Sequence, residues 1–223
     1  MSGTQCPLKI QLVGYNTNMN DDALKHFKKT DSLLYELAVN IEPFTPMLPT
    51  TEHFTRLTRS IVGQQLSVKA AQTIFTRFQN LLNDNITPER IVKMDKDKMR
   101  ECGISYPKIS YIKDLAEKVI EKKLILENIH ELDNETIIKN LTIVKGIGAW
   151  SAEMFLMFSL DRPDVFSVGD LGLKNAMKKL YGIDDITNEQ MLEISKKWSP
   201  YRTYASMVLW RSLDNNPKID SPK

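Results

Sequence analysis

Residues 149–160, AWSAEMFLMFSL, read as a helix that is apolar around most of its circumference, with Glu153 its only charge. A helix without a polar face cannot lie on a protein surface, so the chain must pack other elements around it. Just before it, Gly146 and Gly148 flank Ile147, after an apolar run from Leu141 to Val144 that Lys145 breaks. Two glycines let the backbone bend without a Cβ penalty and place the helix N-terminus at the turn. First-turn amides carry partial positive charge, and glycines beside them admit the oxygens of an anion, a phosphate being the natural guest. The same Gly-X-Gly pattern also serves as a plain tight connection. Asp170 stands 22 positions past Gly148, where a carboxylate can act on whatever the anion belongs to.

A dinucleotide site needs a third glycine after a strand, and Ala149, Trp150 and Ser151 do not supply one. A Walker loop is absent as well. Elsewhere the apolar spacing is helical. Asn20 can cap a helix from Asp21 to about Val39, followed by a connector carrying Pro43, Pro46 and Pro49. Residues 53–62 and 67–82 read as two helices separated by Gly63, Gln64, Gln65 and Leu66, with Ser67 capping the second. Thr87 caps a short helix from Pro88, and another runs from Asp95 to Glu101. Ile109, Ile112, Leu115, Ala116 and Val119 carry a longer one to Lys122. Asn134–Asn140, Leu171–Leu180, Asn188–Lys197 and Pro200–Leu213 complete the set. No segment alternates with a period of two, so the fold class is all-α.

At 223 residues and 42% hydrophobic, the chain can bury a substantial core as one large domain or two lobes. It has no signal sequence and no run of 18 apolar residues, which places it inside the cell and off the membrane. Thirty basic and 28 acidic residues leave a net charge of +2, which by itself announces no polyanion binder. The distribution says more: residues 53–83 hold Arg56, Arg59, Lys69 and Arg77 and no acid, whether as a solvated helix face or a DNA-facing one. His26, His53 and His130 are scattered and Cys6 and Cys102 lie far apart, so a zinc site is not expected.

LTIVKGIGAWSAEMF, followed by DVFSVGDLGL, closely resembles the helix-hairpin-helix DNA glycosylases, specifically the 3-methyladenine DNA glycosylase II branch. IVGQQLSVKAA at 61–71 resembles that branch's DNA-penetrating loop and helix, and PYRTYASMVLW at 200–210 its C-terminal helix. The likeness extends over roughly residues 21–214, with the motifs in the family's order. It implies a two-lobed helical fold, with about 50–160 forming one lobe and 21–49 plus 161–214 the other, and residues 1–20 and 215–223 as tails. The extra N-terminal α/β domain that the family form commonly carries is not expected, because the residues before the penetrating helix read as one helix and a proline-rich connector.

The resemblance also implies the roles of side chains. Asp170 would stabilise an oxocarbenium-like sugar and orient or deprotonate the attacking water, although Gly169 and Asp170 equally read as the N-terminal signal of the next helix. Trp150 and Trp210 match two base-pocket positions, with Met154 and Leu171 at two more that are aromatic in the best-known bacterial form. A ring stacked on a cationic alkylated base gains roughly 0.5 to 2 kcal/mol from cation–π attraction. Relatives that cut the DNA backbone carry a lysine where Trp150 stands, so a monofunctional enzyme with a water nucleophile is expected. Gln64, Gln65 and Leu66 would fill the hole left by a flipped base, with Gln65 inserting and Leu66 as an apolar wedge.

Lys145, Gly146, Ile147 and Gly148 would contact a DNA phosphate, and the backbone carbonyls of Thr142, Val144 and Ile147 would hold a structural Na⁺ or K⁺. No other cofactor is required, and two cysteines cannot ligate a four-cysteine iron–sulfur cluster. The expected partner is damaged double-stranded DNA, met by a monomer in the cytoplasm, nucleoid or nucleus. Two other readings stay open: a glycosylase of the same fold for oxidised, deaminated or mismatched bases, and a non-catalytic hairpin module that only binds DNA.

Overall fold

The computed structural model describes residues 17–41 and 52–215, whose regular elements are all helices, with no strand among the described residues. They form two compact units, one of residues 52–160 and one of 17–41 with 161–215.

Helix α1 spans Thr17–Thr30 and α2 spans Ser32–Val39. The single helix expected from Asp21 to Val39 is therefore two, and Asn20 lies inside the first of them instead of capping it. Residues 17–20, assigned to a tail, are helical, whereas the Pro43–Pro49 connector falls outside the described residues. The break is at Asp31, which adopts extended backbone and accepts the Leu34 N–H at 3.1 Å through Oδ1. A helical apolar period runs unchanged across such a break, so spacing alone cannot reveal it.

In the unit of residues 52–160, α3 is His53–Gly63, α4 Val68–Leu81, α5 Pro88–Lys93, α6 Lys96–Glu101 and α7 Tyr106–Ile120, followed by α8 Asn134–Leu141 and α9 Ala149–Phe158. Ser67, Thr87, Asp95 and Asp133 each accept a first-turn N–H of the helix that follows, which fixes where α4, α5, α6 and α8 begin. α7 packs against α3, α5 and α6 through Ile109, Ile112, Leu115 and Ala116, all essentially inaccessible. The apolar α9 buries Ala152 and every residue from Met154 to Phe158, as a helix without a polar face must. Fully burying a side chain such as Phe78 contributes about 2 to 3 kcal/mol.

In the second unit, α10 (Leu171–Tyr181), α11 (Asn188–Ser195) and α12 (Arg202–Asn215) join α1 and α2. α10 ends at Gly182 in the left-handed region, φ 65°, as helix C-termini favour. The helix expected to run to Lys197 instead tightens at Lys196–Trp198 into a 3₁₀ turn, which sends the Trp198 indole into the core edge-on to Phe166. α10 and α12 pack on each other and on α2, which sets the ground for Asp170 at the head of α10.

Candidate active site

The turn between α8 and α9 is anchored at every third residue. Leu141, Val144 and Ile147 are buried, while Thr142, Ile143, Lys145, Gly146 and Gly148 face outward. Ile147 N–H donates to Val144 O at 3.1 Å, and Gly146 takes φ 79°, the left-handed region that favours glycine. A Cβ there would also lie 2.2 Å from a ring carbon of Tyr111, so the backbone of Gly146 rests directly on that ring. Gly148 is the N-cap of α9 and offers no side-chain acceptor to the first-turn amides, and a Cβ at that position would meet open space. An anion can therefore approach those amides from outside.

Beside this turn lies the loop between α3 and α4. Gln65 adopts φ 57° and is exposed, while Gln64 and Leu66 are partly buried. Gln64 Nε2 donates to Gly146 O at 2.8 Å, so this glutamine is tied to the hairpin and does not project with Gln65. Beneath both turns runs one side of α7. Lys108 Nζ donates to Val62 O at 2.9 Å and to Gln64 O, and burial holds its pKa below that of an ordinary lysine. Asp114 Oδ2 accepts the Lys145 N–H at 2.9 Å and the Lys118 ammonium at 2.7 Å, and the Lys145 ammonium stands 3.6 Å from Oδ1. Burial pushes the Asp114 carboxyl up, but these donors outweigh it and hold the group below the usual carboxylate range.

Lys108, Tyr111 and Asp114 were missed by sequence reasoning. Only their three-residue spacing on one helix could have flagged them, and that spacing is equally that of a solvated helix face. Ile143, 44% exposed at the hairpin, was missed too, although it stands out of step with its buried neighbours at 141, 144 and 147.

In the other unit, Asp170 is the N-cap of α10. Its Oδ1 accepts the Leu173 N–H at 2.7 Å and also the Trp210 indole N–H at 2.9 Å. Both the helix cap and the pairing with Trp210 are thus present in one oxygen. The carboxylate is largely buried, as is Trp210. Gly172 makes the arrangement possible: a Cβ there would lie 3.0 Å from Asp170 Oδ1 and 3.1 to 3.2 Å from the Trp210 ring. Leu171 at the helix start is 72% exposed. Trp150 is partly buried in the first turn of α9 and Met154, one turn on, is buried. Among the described residues, no three His, Cys, Asp or Glu side chains converge as metal ligands would. No described helix is long and apolar enough to cross a membrane.

Residues 58–200 match the family model of the HhH-GPD superfamily base excision DNA repair protein. DNA-3-methyladenine glycosylase 1 of Schizosaccharomyces pombe is 39% identical over 183 residues, covering 80% of each chain. Among solved structures, the Schizosaccharomyces pombe 3-methyladenine DNA glycosylase in complex with abasic DNA is similar with a TM-score of 0.75 and 36% identity, over 91% of this chain and 100% of that one. DNA-3-methyladenine glycosidase from Bacillus halodurans is similar with a TM-score of 0.74 and 36% identity, over 85% of this chain and 88% of that one. The matched segment runs from within α3 to just before α12 and takes in the loop, the hairpin and Asp170, and the chain belongs to the HhH-GPD superfamily of base excision DNA repair proteins.

Proposed function

We propose that this protein is a DNA glycosylase of base excision repair that flips alkylated purines, 3-methyladenine among them, out of duplex DNA and hydrolyses the N-glycosidic bond, leaving an abasic site. The observation that carries the proposal is the Asp170 carboxylate, fixed through one oxygen by the Leu173 amide and the Trp210 indole. Relatives at 36 to 39% identity that carry the 3-methyladenine glycosylase name support it.

Cleavage turns the sugar into an oxocarbenium-like cation, and a preorganised carboxylate lowers the energy of that cation more than that of the neutral sugar. Asp170 also serves to orient or deprotonate the attacking water. An alkylated purine carries positive charge already and departs without a strong general acid. Recognition then falls to stacking on an aromatic ring, for which Trp150 and Trp210 are the proposed residues, while Met154 and Leu171 would stack less strongly than aromatic side chains at those positions. A tryptophan at 150 offers no amine for a Schiff base, so strand cleavage is not part of the reaction.

Gln65 and Leu66 occupy the space the flipped nucleotide leaves, and the amides around Gly148 with Lys145 hold a neighbouring phosphate. The carbonyls of Thr142, Val144 and Ile147 are neutral hard oxygens without a carboxylate among them, a donor set that suits Na⁺ or K⁺ better than a transition metal. Such an ion would add positive charge toward the phosphate. The enzyme works as a monomer wherever the cell keeps its duplex DNA.

Base release from methylated, deaminated and oxidised duplexes, compared with Asp170→Asn, tests the reading. Release of alkylpurines by the wild type alone is expected, with no borohydride trapping of the protein on DNA. Retained release in Asp170→Asn would overturn the mechanism, and preferential release of an oxidised or deaminated base would overturn the substrate class.

A further inference from the structure

We infer that Lys108 is a positioning residue: with Tyr111 and Asp114 it makes one side of α7 a bed that locks the loop 63–66 and the hairpin 142–148 to each other, so that both meet DNA as one preformed surface. The roles of the two turns rest on the glycosylase reading above; their attachment to α7 and to each other does not.

α3 ends at Gly63, where the carbonyls of its last turn lack partners within the helix. The Lys108 ammonium fills that need at Val62 O, and a cation there also suits the negative end of the helix dipole. The same ammonium holds Gln64 O, one residue before Gln65 takes its left-handed φ of 57°. A glutamine adopts that conformation only where its surroundings impose it, and the clamp lies on the preceding residue.

Gln64 is then held at both ends, its carbonyl by Lys108 and its side-chain amide on Gly146 O. Gly146 in turn sits on the Tyr111 ring with no room for a Cβ, and Lys145 N–H is fixed by Asp114. Residues 108, 111 and 114 follow one another up one side of α7, so a single rigid helix sets the spacing of two turns that are 82 residues apart in sequence at their point of contact. Gln64 accordingly belongs to this frame, and the inserting residues are Gln65 and Leu66.

A frame of this kind matters most when the enzyme must open a stable base pair and least when the pair is already weak, because flipping costs a few kcal/mol that a preformed plug offsets. The test compares wild type, Lys108→Met and Lys108→Arg. One readout is single-turnover release of an alkylated purine placed in a fully paired duplex or opposite a mismatch. The other is the fluorescence of 2-aminopurine next to an abasic-site analogue, which reports unstacking without any chemistry.

Lys108→Met is expected to slow release from the paired duplex about tenfold, to slow the mismatched one about threefold or less, and to lose most of the fluorescence rise. Lys108→Arg, still able to donate to two carbonyls, is expected to restore most of both. Equal slowing on the two duplexes, or unchanged kinetics with a full fluorescence rise, would overturn the inference. Should Lys108→Met fail to fold, Gln64→Ala breaks only the tie to the hairpin and must show the same bias toward paired DNA, or the inference falls. If the wild type released no alkylpurine, the proposed activity would fail, while the fluorescence comparison would still decide whether Lys108 positions the loop.

Discussion

Asp31 and Asp170 have the same local design, and the function proposed above gives a chemical role to Asp170 alone. Each precedes a helix, each accepts the N–H three residues on, at Leu34 and Leu173, and each accepts a tryptophan indole N–H, from Trp198 at 3.0 Å and Trp210 at 2.9 Å. Both are largely buried. The difference lies in which oxygen does what. Asp31 caps with Oδ1 and gives Oδ2 to both Trp198 and the Tyr181 hydroxyl, which burial first and then the Asp31 carboxylate make harder to ionise. Asp170 takes the cap and the indole on one oxygen. Two residues after Asp31 stands Leu33, and two after Asp170 stands Gly172, whose missing side chain lets the indole lie against the head of α10. A capping aspartate beside a tryptophan is therefore not in itself a reactive carboxylate. In the two cases the indole meets a different oxygen relative to the cap, and only the start of α10 carries a glycine against the carboxylate and the indole.

Exchange of each aspartate for asparagine should separate them. Asp170→Asn can keep an oxygen for the Leu173 amide and the Trp210 indole while it removes the charge, so base release should fall at least about 10²-fold, a larger effect than any on stability. Asp31→Asn has the converse outcome. An amide N–H₂ replaces an oxygen facing two donors, which should cost about 2 to 4 kcal/mol in denaturant unfolding, with release per folded molecule unchanged. If both variants lost activity and stability alike, the distinction drawn between the two sites would fail.

Gly172→Ala probes the difference at the second position. Its Cβ would press on Asp170 Oδ1 and Trp210 at 3.0 to 3.2 Å, so release should slow about tenfold, with a stability loss of about 1 kcal/mol. Leu33→Ala, at the matching place beside the structural aspartate, should leave release unchanged, as single-turnover assays would show.

A pH-dependent effect concerns a third aspartate, Asp114 under the hairpin. Its folded pKa lies below the ordinary value of 3.8, because its donors outweigh the cost of burial. The stability it contributes is therefore fully present above that value and is lost as pH falls through the folded pKa. Asp114→Asn should lower stability by about 1 to 2 kcal/mol at pH 6, and the gap to wild type should close below about pH 4 in chemical denaturation.

The helices and most of their starts were legible because their causes are local. Ser67, Thr87 and Asp95 reach amides two or three residues ahead, and glycines end or bend the chain where they stand. The division of residues 17–39 was not legible. Asp31 breaks that stretch, and the partners that secure it, Tyr181 and Trp198, come from 150 and 167 residues away. Likewise, the hydrogen bond from Gln64 to Gly146 O, across 82 residues, could not be read from the sequence.

The sequence by itself determined an all-helical chain built around an apolar α9, with a glycine hairpin before it and a carboxylate at the head of α10, since each depends on side chains within a few residues of one another. Tertiary structure decided which polar groups meet: Lys108 with the end of α3, Gln64 with the hairpin, and Trp210 with Asp170 across 40 residues. The physical reason is range. Helical periodicity and capping act over one turn, whereas a hydrogen bond between distant elements exists only once the core has packed and set their separation.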